Sequence, residues 1–245
     1  MAVSIWQRIN RKRTVAGSME KAARLSNMRA TGERKLDRQT FIDCGRAYNI
    51  PPENIAALCA VESNGYSYDS DGRLKILFEP HVFHRATQGA YNGLKMPVRF
   101  NGEIVQAEVS YRRWRRMTTE QSRDPGFFHI YKLSNLDRWD LLIRLYEMDE
   151  RALEAASFGS FQIVGNNWRQ LGYSSALGMV EDLYTGELAN IAAAMRFCRM
   201  AQIDTALRNG DWLRFARRYN GPAAASTYAR RLEAAARRKR LGMGL

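Results

Sequence analysis

Residues 55–65, IAALCAVESNG, place a carboxylate where a helix calls for a core residue. Ile55, Leu58 and Cys59 recur at i, i+3 and i+4, and the next position on that face, i+7, is Glu62. Asn64-Gly65 is the kind of pair that tolerates left-handed backbone and ends a helix. Glu62 is therefore expected on the last turn of a short buried helix, half-enclosed and near an opening. Desolvation there raises a carboxyl pKa, as a general acid working near neutral pH requires. A buried Glu paired with an arginine satisfies the same pattern, and this stretch alone does not separate the two.

The chain around it reads as mostly helical. Asp37 is placed to cap a helix reaching Asn49, with Phe41, Cys44, Gly45 and Tyr48 on one face, and Pro51-Pro52 starts the Glu62 helix. A turn over 66–72 leads to a short strand over 75–78, and Glu79-Pro80-His81 opens a further helix to Gln88. Alternation around Asn101-Gly102 predicts a two-residue hairpin. Trp139, Leu142, Ile143 and Tyr146 form an amphipathic stripe, and Asp149 is placed to cap residues 151–157. A short helix is expected within 162–171 and one long helix over 179–200, with Tyr184, Leu188, Ile191, Met195 and Cys198 facing inward. Helices around 203–207, over 211–219 and from Thr227 complete the chain, which is mainly α with a small β-hairpin.

Residues 1–36 are basic and poor in large apolar side chains, so they are set apart as an arm or appendage, with a weak helix over 18–30. Residues 37–245 form the main domain, interrupted by a basic excursion over 89–136. The 245 residues carry 38 Lys and Arg against 25 Asp and Glu, a net charge of +13 that implies a polyanionic neighbour. Cys44, Cys59 and Cys198 are an odd number without a CxxC, and all three are expected as reduced packing residues. The first 18 residues hold no continuous apolar segment of the secretory type, and no apolar run long enough to span a membrane occurs. His81 and His84 stand at i, i+3 beside Glu79 without a further strong ligand, so no metal and no cofactor is expected.

Three separated segments carry chemistry. Glu62-Ser63 is the first. Ser157-Phe-Gly159-Ser-Phe161-Gln162-Ile163 delivers a glutamine from a glycine loop between apolar anchors. Tyr219-Asn220-Gly221-Pro222 ends an apolar helix stripe. Amides both donate and accept, which suits sugar hydroxyl and acetamido groups, and a tyrosine hydroxyl can bond a carboxyl.

The order Glu-Ser, Gly-x-x-Gln-Ile, Tyr-Asn-Gly resembles that of the goose-type lysozyme and lytic transglycosylase superfamily. Four stretches resemble the phage-type N-acetylmuramidase endolysin family within it: Ala60-Val-Glu62-Ser63-x-Gly65, Ile76-Leu-Phe-Glu79-x-His81-x-Phe83, Ser157-Phe-Gly-Ser-Phe-Gln162-Ile and Ala216-x-x-Tyr219-Asn-Gly-Pro222. The resemblance runs from Asp37 to Arg240. It implies a lysozyme-like helical fold and cleavage of the β-1,4 bond between N-acetylmuramic acid and N-acetylglucosamine in peptidoglycan. It points to Glu62 as general acid, Glu79 as second carboxylate, and Ser63, His81, Ser157, Gln162, Tyr219 and Asn220 as substrate contacts. Asp69 and Asp71 are better explained by their turn and Glu187 by a structural ion pair. The small three-helix wall-binding module of relatives has no counterpart in residues 1–36, which are offered instead as an arm for phage tail proteins.

The basic helices imply attraction to an anionic outer-membrane surface as well as to the wall, and no nucleic-acid partner. The final helix, with Leu232 and alanines on one side and arginines on the other, could engage lipid, although a solvated helix end is the favoured reading. The chain is expected in the host cytoplasm until its release to the wall, or in the virion. Two other readings remain at this point. One is a lytic transglycosylase forming 1,6-anhydro ends; the other is a non-catalytic tail component that docks on the wall.

Overall fold

The computed structural model describes residues 17, 19–34, 36–63, 66–112 and 130–243, excepting the side chains of Ser63, Leu241 and Met243. The expected helix end at Asn64-Gly65, the side chain of Ser63, residues 113–129 of the 89–136 excursion and residues 1–16 lie outside the described residues. The chain divides into two compact units.

The first unit takes the described residues within 1–28, 76–157 and 164–166. Its centre is the helix Asn135–Met148, started by Ser134, whose hydroxyl accepts the amide of Asp137. Trp139, Leu141, Leu142, Leu145 and Tyr146 are all buried, so the helix is covered on a wide arc and not on a single stripe. Arg138 reaches out of the same helix and donates to the carbonyls of Ile76 (3.0 Å) and Tyr131 (2.9 Å). Asp149 then accepts the amide of Arg151, as expected, but the turns it starts are 3₁₀, Glu150–Ala155, and run into the strand Ala156–Phe158. That strand lies between Ile76–Phe78 and Ile163–Val164 in a three-stranded sheet. Helix Pro80–Ala86 follows the first of these strands. The hairpin pairs Lys95–Phe100 with Glu103–Glu108, Phe100 opposite Glu103, and its two loop residues have φ of 50° at Asn101 and 86° at Gly102. That is the primed turn the Asn-Gly pair demands. Residues 19–27 are helical, and Ala22 and Leu25 are buried, so this part of the arm has more to pack than its composition suggested.

The second unit takes the described residues within 29–75, 158–163 and 167–245. Helix Arg38–Tyr48 begins where Asp37 accepts the amide of Thr40 at 2.7 Å. Pro52 opens Pro52–Ser63, whose Ile55, Ala56, Ala57 and Leu58 are inaccessible to solvent. The final helix, Ala225–Met243, packs along it, with Ala57, Ala235 and Ala236 forming a tight seam flanked by Val61 and Trp212. Small side chains let the two backbones approach. Ala225, Tyr228, Ala229 and Leu232 are buried on the same side. The apolar face that lipid could have engaged is thus consumed by packing, in line with the favoured reading of a solvated helix end, and the basic residues Arg230, Arg231, Arg237, Arg238, Lys239 and Arg240 are all exposed.

Two helices differ from expectation. The long one over 179–200 is broken into Ala176–Leu183 and Glu187–Met200 at Gly186, whose φ is 146°. Residues 30–33 pass against the break: Thr31 N–H donates to Tyr184 O, and Glu187 N–H donates to Glu33 O. Backbone groups freed by the interruption therefore find partners far away in sequence, which no local pattern reveals. Leu188, expected inside, is exposed in consequence. The short helix expected within 162–171 is replaced by Ile163–Val164 and a 3₁₀ turn, Gly165–Asn167. Gly165 lies so close to Leu153 O that a Cβ there would collide with it. The remaining helices are Asp204–Asn209 and Trp212–Tyr219, the latter capped by Asp211, whose side chain accepts the amide of Arg214.

Cys44, Cys59 and Cys198 are free and buried. Among the described residues no helix is long and apolar enough to cross a membrane.

Candidate active site

Glu62 occupies the last turn of Pro52–Ser63 and is half-buried. Burial pushes its carboxyl above the ordinary range, while the Tyr228 hydrogen bond and the nearby Arg231 charge pull the other way and do not cancel it. The Tyr228 hydroxyl donates to Glu62 Oε1. Arg231, one turn further along the same helix, donates to Val61 O at 3.3 Å. A carboxyl whose pKa is raised by burial, beside a fixed hydroxyl donor, is the arrangement a general acid needs.

An aromatic column holds Tyr228 in place. Its ring stacks on Tyr219 at 6.1 Å between centroids, Tyr219 stacks on Phe215 at 5.1 Å, and Phe197 meets Tyr219 edge-on at 6.0 Å. Tyr219 also reaches Phe161 O at 3.5 Å. The Glu62 helix, the helix end at Tyr219-Asn220 and the glycine loop thus converge within the second unit.

The glycine loop owes its shape to two residues. Gly159 has φ 69°, and a Cβ there would strike Asn190 Oδ1. Gln162 has φ 49°, exceptional for a residue with a side chain, and its amide donates to Gly159 O at 2.8 Å. Asn220 ends the Trp212–Tyr219 helix and is exposed. Ser157, by contrast, is buried, and its hydroxyl donates to Leu77 O at 3.3 Å.

Glu79 stands in the first unit at the N-cap of Pro80–Ala86 but does not cap it with its side chain. Its carboxylate instead accepts the hydroxyl of Tyr131, and His81 Nδ1 lies 3.6 Å from the same oxygen. Burial lowers the His81 pKa, against the opposing pull of Glu79, so the imidazole is neutral near pH 7. Asp69 builds its turn, accepting the amides of Asp71 (3.1 Å) and Arg73 (2.9 Å). Glu187, expected in an ion pair, is buried and accepts from the amide and hydroxyl of Ser67, and the charge of Lys75 acts on it from a distance. No group of three or more His, Cys, Asp or Glu side chains suited to a metal gathers among the described residues.

Tyr228 and Tyr131 were missed at the level of sequence. Tyr228 had a signal: with Leu232, Ala235 and Ala236 it continues one apolar face at i, i+4, i+7 and i+8, a polar-tipped residue at the end of a buried stripe like Glu62 itself. Tyr131 lies in an aperiodic segment and had none.

Against known proteins, the family model for N-acetylmuramidase matches residues 51–240. Among solved structures, that of the Burkholderia AP3 phage endolysin is similar with a TM-score of 0.64 and 25% identity, covering 84% of this chain and 72% of that one. No curated protein sequence matches.

Proposed function

Because the chain belongs to the N-acetylmuramidase family, and so is a glycoside hydrolase of peptidoglycan, we propose that Glu62 is its general acid. The bond cleaved is the β-1,4 link between N-acetylmuramic acid and N-acetylglucosamine. The observation that carries this reading is the half-buried Glu62, its pKa raised by burial, with the Tyr228 hydroxyl on one oxygen. Glycosidic cleavage needs a proton on the leaving oxygen while positive charge grows on the sugar ring. A carboxyl with a raised pKa delivers that proton and is left as a carboxylate, which Tyr228 and Arg231 then stabilise.

Glu79 is the candidate for the second carboxylate, acting as base or nucleophile. Its support is chemical: an oriented carboxylate with a phenol on one oxygen and a neutral histidine alongside. Ser63, His81, Gln162, Tyr219 and Asn220 serve the substrate's hydroxyl and acetamido groups in this reading. Ser157 supports the strand that leads into the glycine loop. The +13 charge draws the enzyme to the anionic wall and outer surface, through exposed arginines and without insertion into lipid. Likeness to a phage endolysin supports a role in lysis.

Residues 1–36 remain the candidate docking arm for tail proteins. Residues 19–27 are helical with Ala22 and Leu25 buried, and residues 30–33 hydrogen-bond within the second unit, so a deletion that probes docking alone should stop before residue 19.

Mass spectrometry of digested sacculi tests the chemistry. Reducing N-acetylmuramic acid ends are expected from the native enzyme, and turnover should fall steeply in Glu79→Gln. Exclusively 1,6-anhydro ends, as a lytic transglycosylase leaves, would overturn the hydrolytic assignment of the bond. Undiminished turnover in Glu79→Gln would remove Glu79 and leave the substrate's own acetamido or 6-hydroxyl group for its task.

A further inference from the structure

A second carboxylate in the Glu62 unit has no part in the mechanism above. Glu187 is 1% exposed, and both oxygens are engaged by one residue: the Ser67 amide at 2.6 Å and the Ser67 hydroxyl at 2.5 Å. Ser67 in turn holds the glycine loop. Its Oγ accepts the amide of Ser160 at 3.2 Å and lies 3.0 Å from Ser160 Oγ. The same two segments are stitched by backbone bonds, Lys75 N–H to Ser67 O and Gly159 N–H to Lys75 O, both 2.8 Å. Asn190, one turn along from Glu187, fills the space that only a glycine at 159 leaves.

Burying a carboxylate is costly, and an apolar side chain would fill the same volume at less cost. What the carboxylate adds is two acceptors that fix Ser67, and through it a loop 93 residues away in sequence. That loop carries Phe161, whose carbonyl receives Tyr219, whose ring backs Tyr228, whose hydroxyl holds Glu62.

We propose that Glu187 is a positioning residue for the general acid, fixing the 158–163 loop through Ser67 and Ser160 and thereby the Tyr219–Tyr228 column that orients Glu62. The proposal rests on the reading of Glu62 as the acid. Glu187 contributes hydrogen-bond acceptors and exchanges no proton with substrate. A glutamine can therefore replace it. Its carbonyl accepts the Ser67 amide, its NH₂ donates to Ser67 Oγ, and the serine proton turns to Ser160 Oγ. An alanine cannot.

The test is kcat and KM on purified sacculi for Glu187→Ala, Glu187→Gln, Ser67→Ala and Glu62→Gln, each at a temperature where circular dichroism shows it folded. Glu187→Ala and Ser67→Ala should lower kcat by about ten- to a hundredfold with little change in KM, as misplacement of an acid does, while Glu187→Gln stays within about threefold of native. A glutamine variant as impaired as the alanine variant would overturn the proposal, since Glu187 would then act through its charge or proton. Native kcat in folded Glu187→Ala would overturn it as well, leaving the knot a matter of stability only. If Glu187→Ala does not fold, native kcat in Ser67→Ala has the same force. Activity in Glu62→Gln would defeat the acid assignment instead, independently of the other three.

Discussion

Tyr228→Phe removes one hydroxyl from Glu62 and leaves the aromatic column standing. The hydrogen bond it takes away favours the charged carboxylate, so the variant's Glu62 should hold its proton more tightly. Glu62 acts while protonated, and activity falls as pH rises through its pKa, which burial has already placed above that of an ordinary glutamate. The alkaline limb of the kcat/KM profile should therefore move to higher pH in Tyr228→Phe. Loss of the bond that orients the acid should also lower kcat by about tenfold. A limb that stays put, or moves to lower pH, would show that Tyr228 does not control this group. At this scale the sequence was informative where a residue broke a pattern. Glu62 did so by standing on an apolar face, and Gln162 by following a glycine loop. Glu187 broke the same kind of pattern, yet its hydrogen-bond partner, Ser67, lies far from it in the chain, and nothing local pointed to a serine in place of the ion pair expected. Tyr131 broke nothing and could not be found.

At the scale of elements, the final helix sets the position of Tyr228 by packing on the Glu62 helix. Leu232 is fully buried one turn after Tyr228. Leu232→Ala should destabilise the fold by about 2–5 kcal/mol through lost burial and the cavity left behind. Urea unfolding measures this, and a loss below about 1 kcal/mol would mean that the seam is not the close-packed contact described. Element boundaries were legible wherever local chemistry decides them. Asp37 and Asp149 cap the segments that follow them, Pro51-Pro52 separates two helices, and Asn101-Gly102 turns the hairpin. They were not legible where distant backbone decides. The break at Gly186 depends on Thr31 and Glu33, and the turn at Gly165 on Leu153. The apolar face of the last helix was visible in sequence, but not what covers it.

For the whole molecule, fold class and activity followed from motif order more than from any single element, because each motif alone is a common structural device. The division into two units was not legible, since the chain passes from one to the other and back within residues 157–167 without a linker or a shift in composition. Charge is the property that belongs to this scale. With a net +13 and six exposed basic residues on the final helix, binding to sacculi should weaken as salt shortens the screening length from about 8 Å at physiological ionic strength to about 3 Å at 1 M. Reversing Arg237, Arg238 and Lys239 to glutamate should reduce both the binding and its salt dependence in a pull-down assay, and an unchanged salt dependence would place the contact elsewhere.

The central claim is narrower than any of these: one proton, held by Glu62, breaks the glycan strand. Glutamine at position 62 preserves the shape of the side chain and an acceptor for Tyr228 while removing that proton. Release of soluble fragments from purified sacculi by folded Glu62→Gln should fall by at least about a hundredfold, the contribution expected of general acid catalysis, with binding to sacculi retained. Fragment release at close to the native rate would contradict the account.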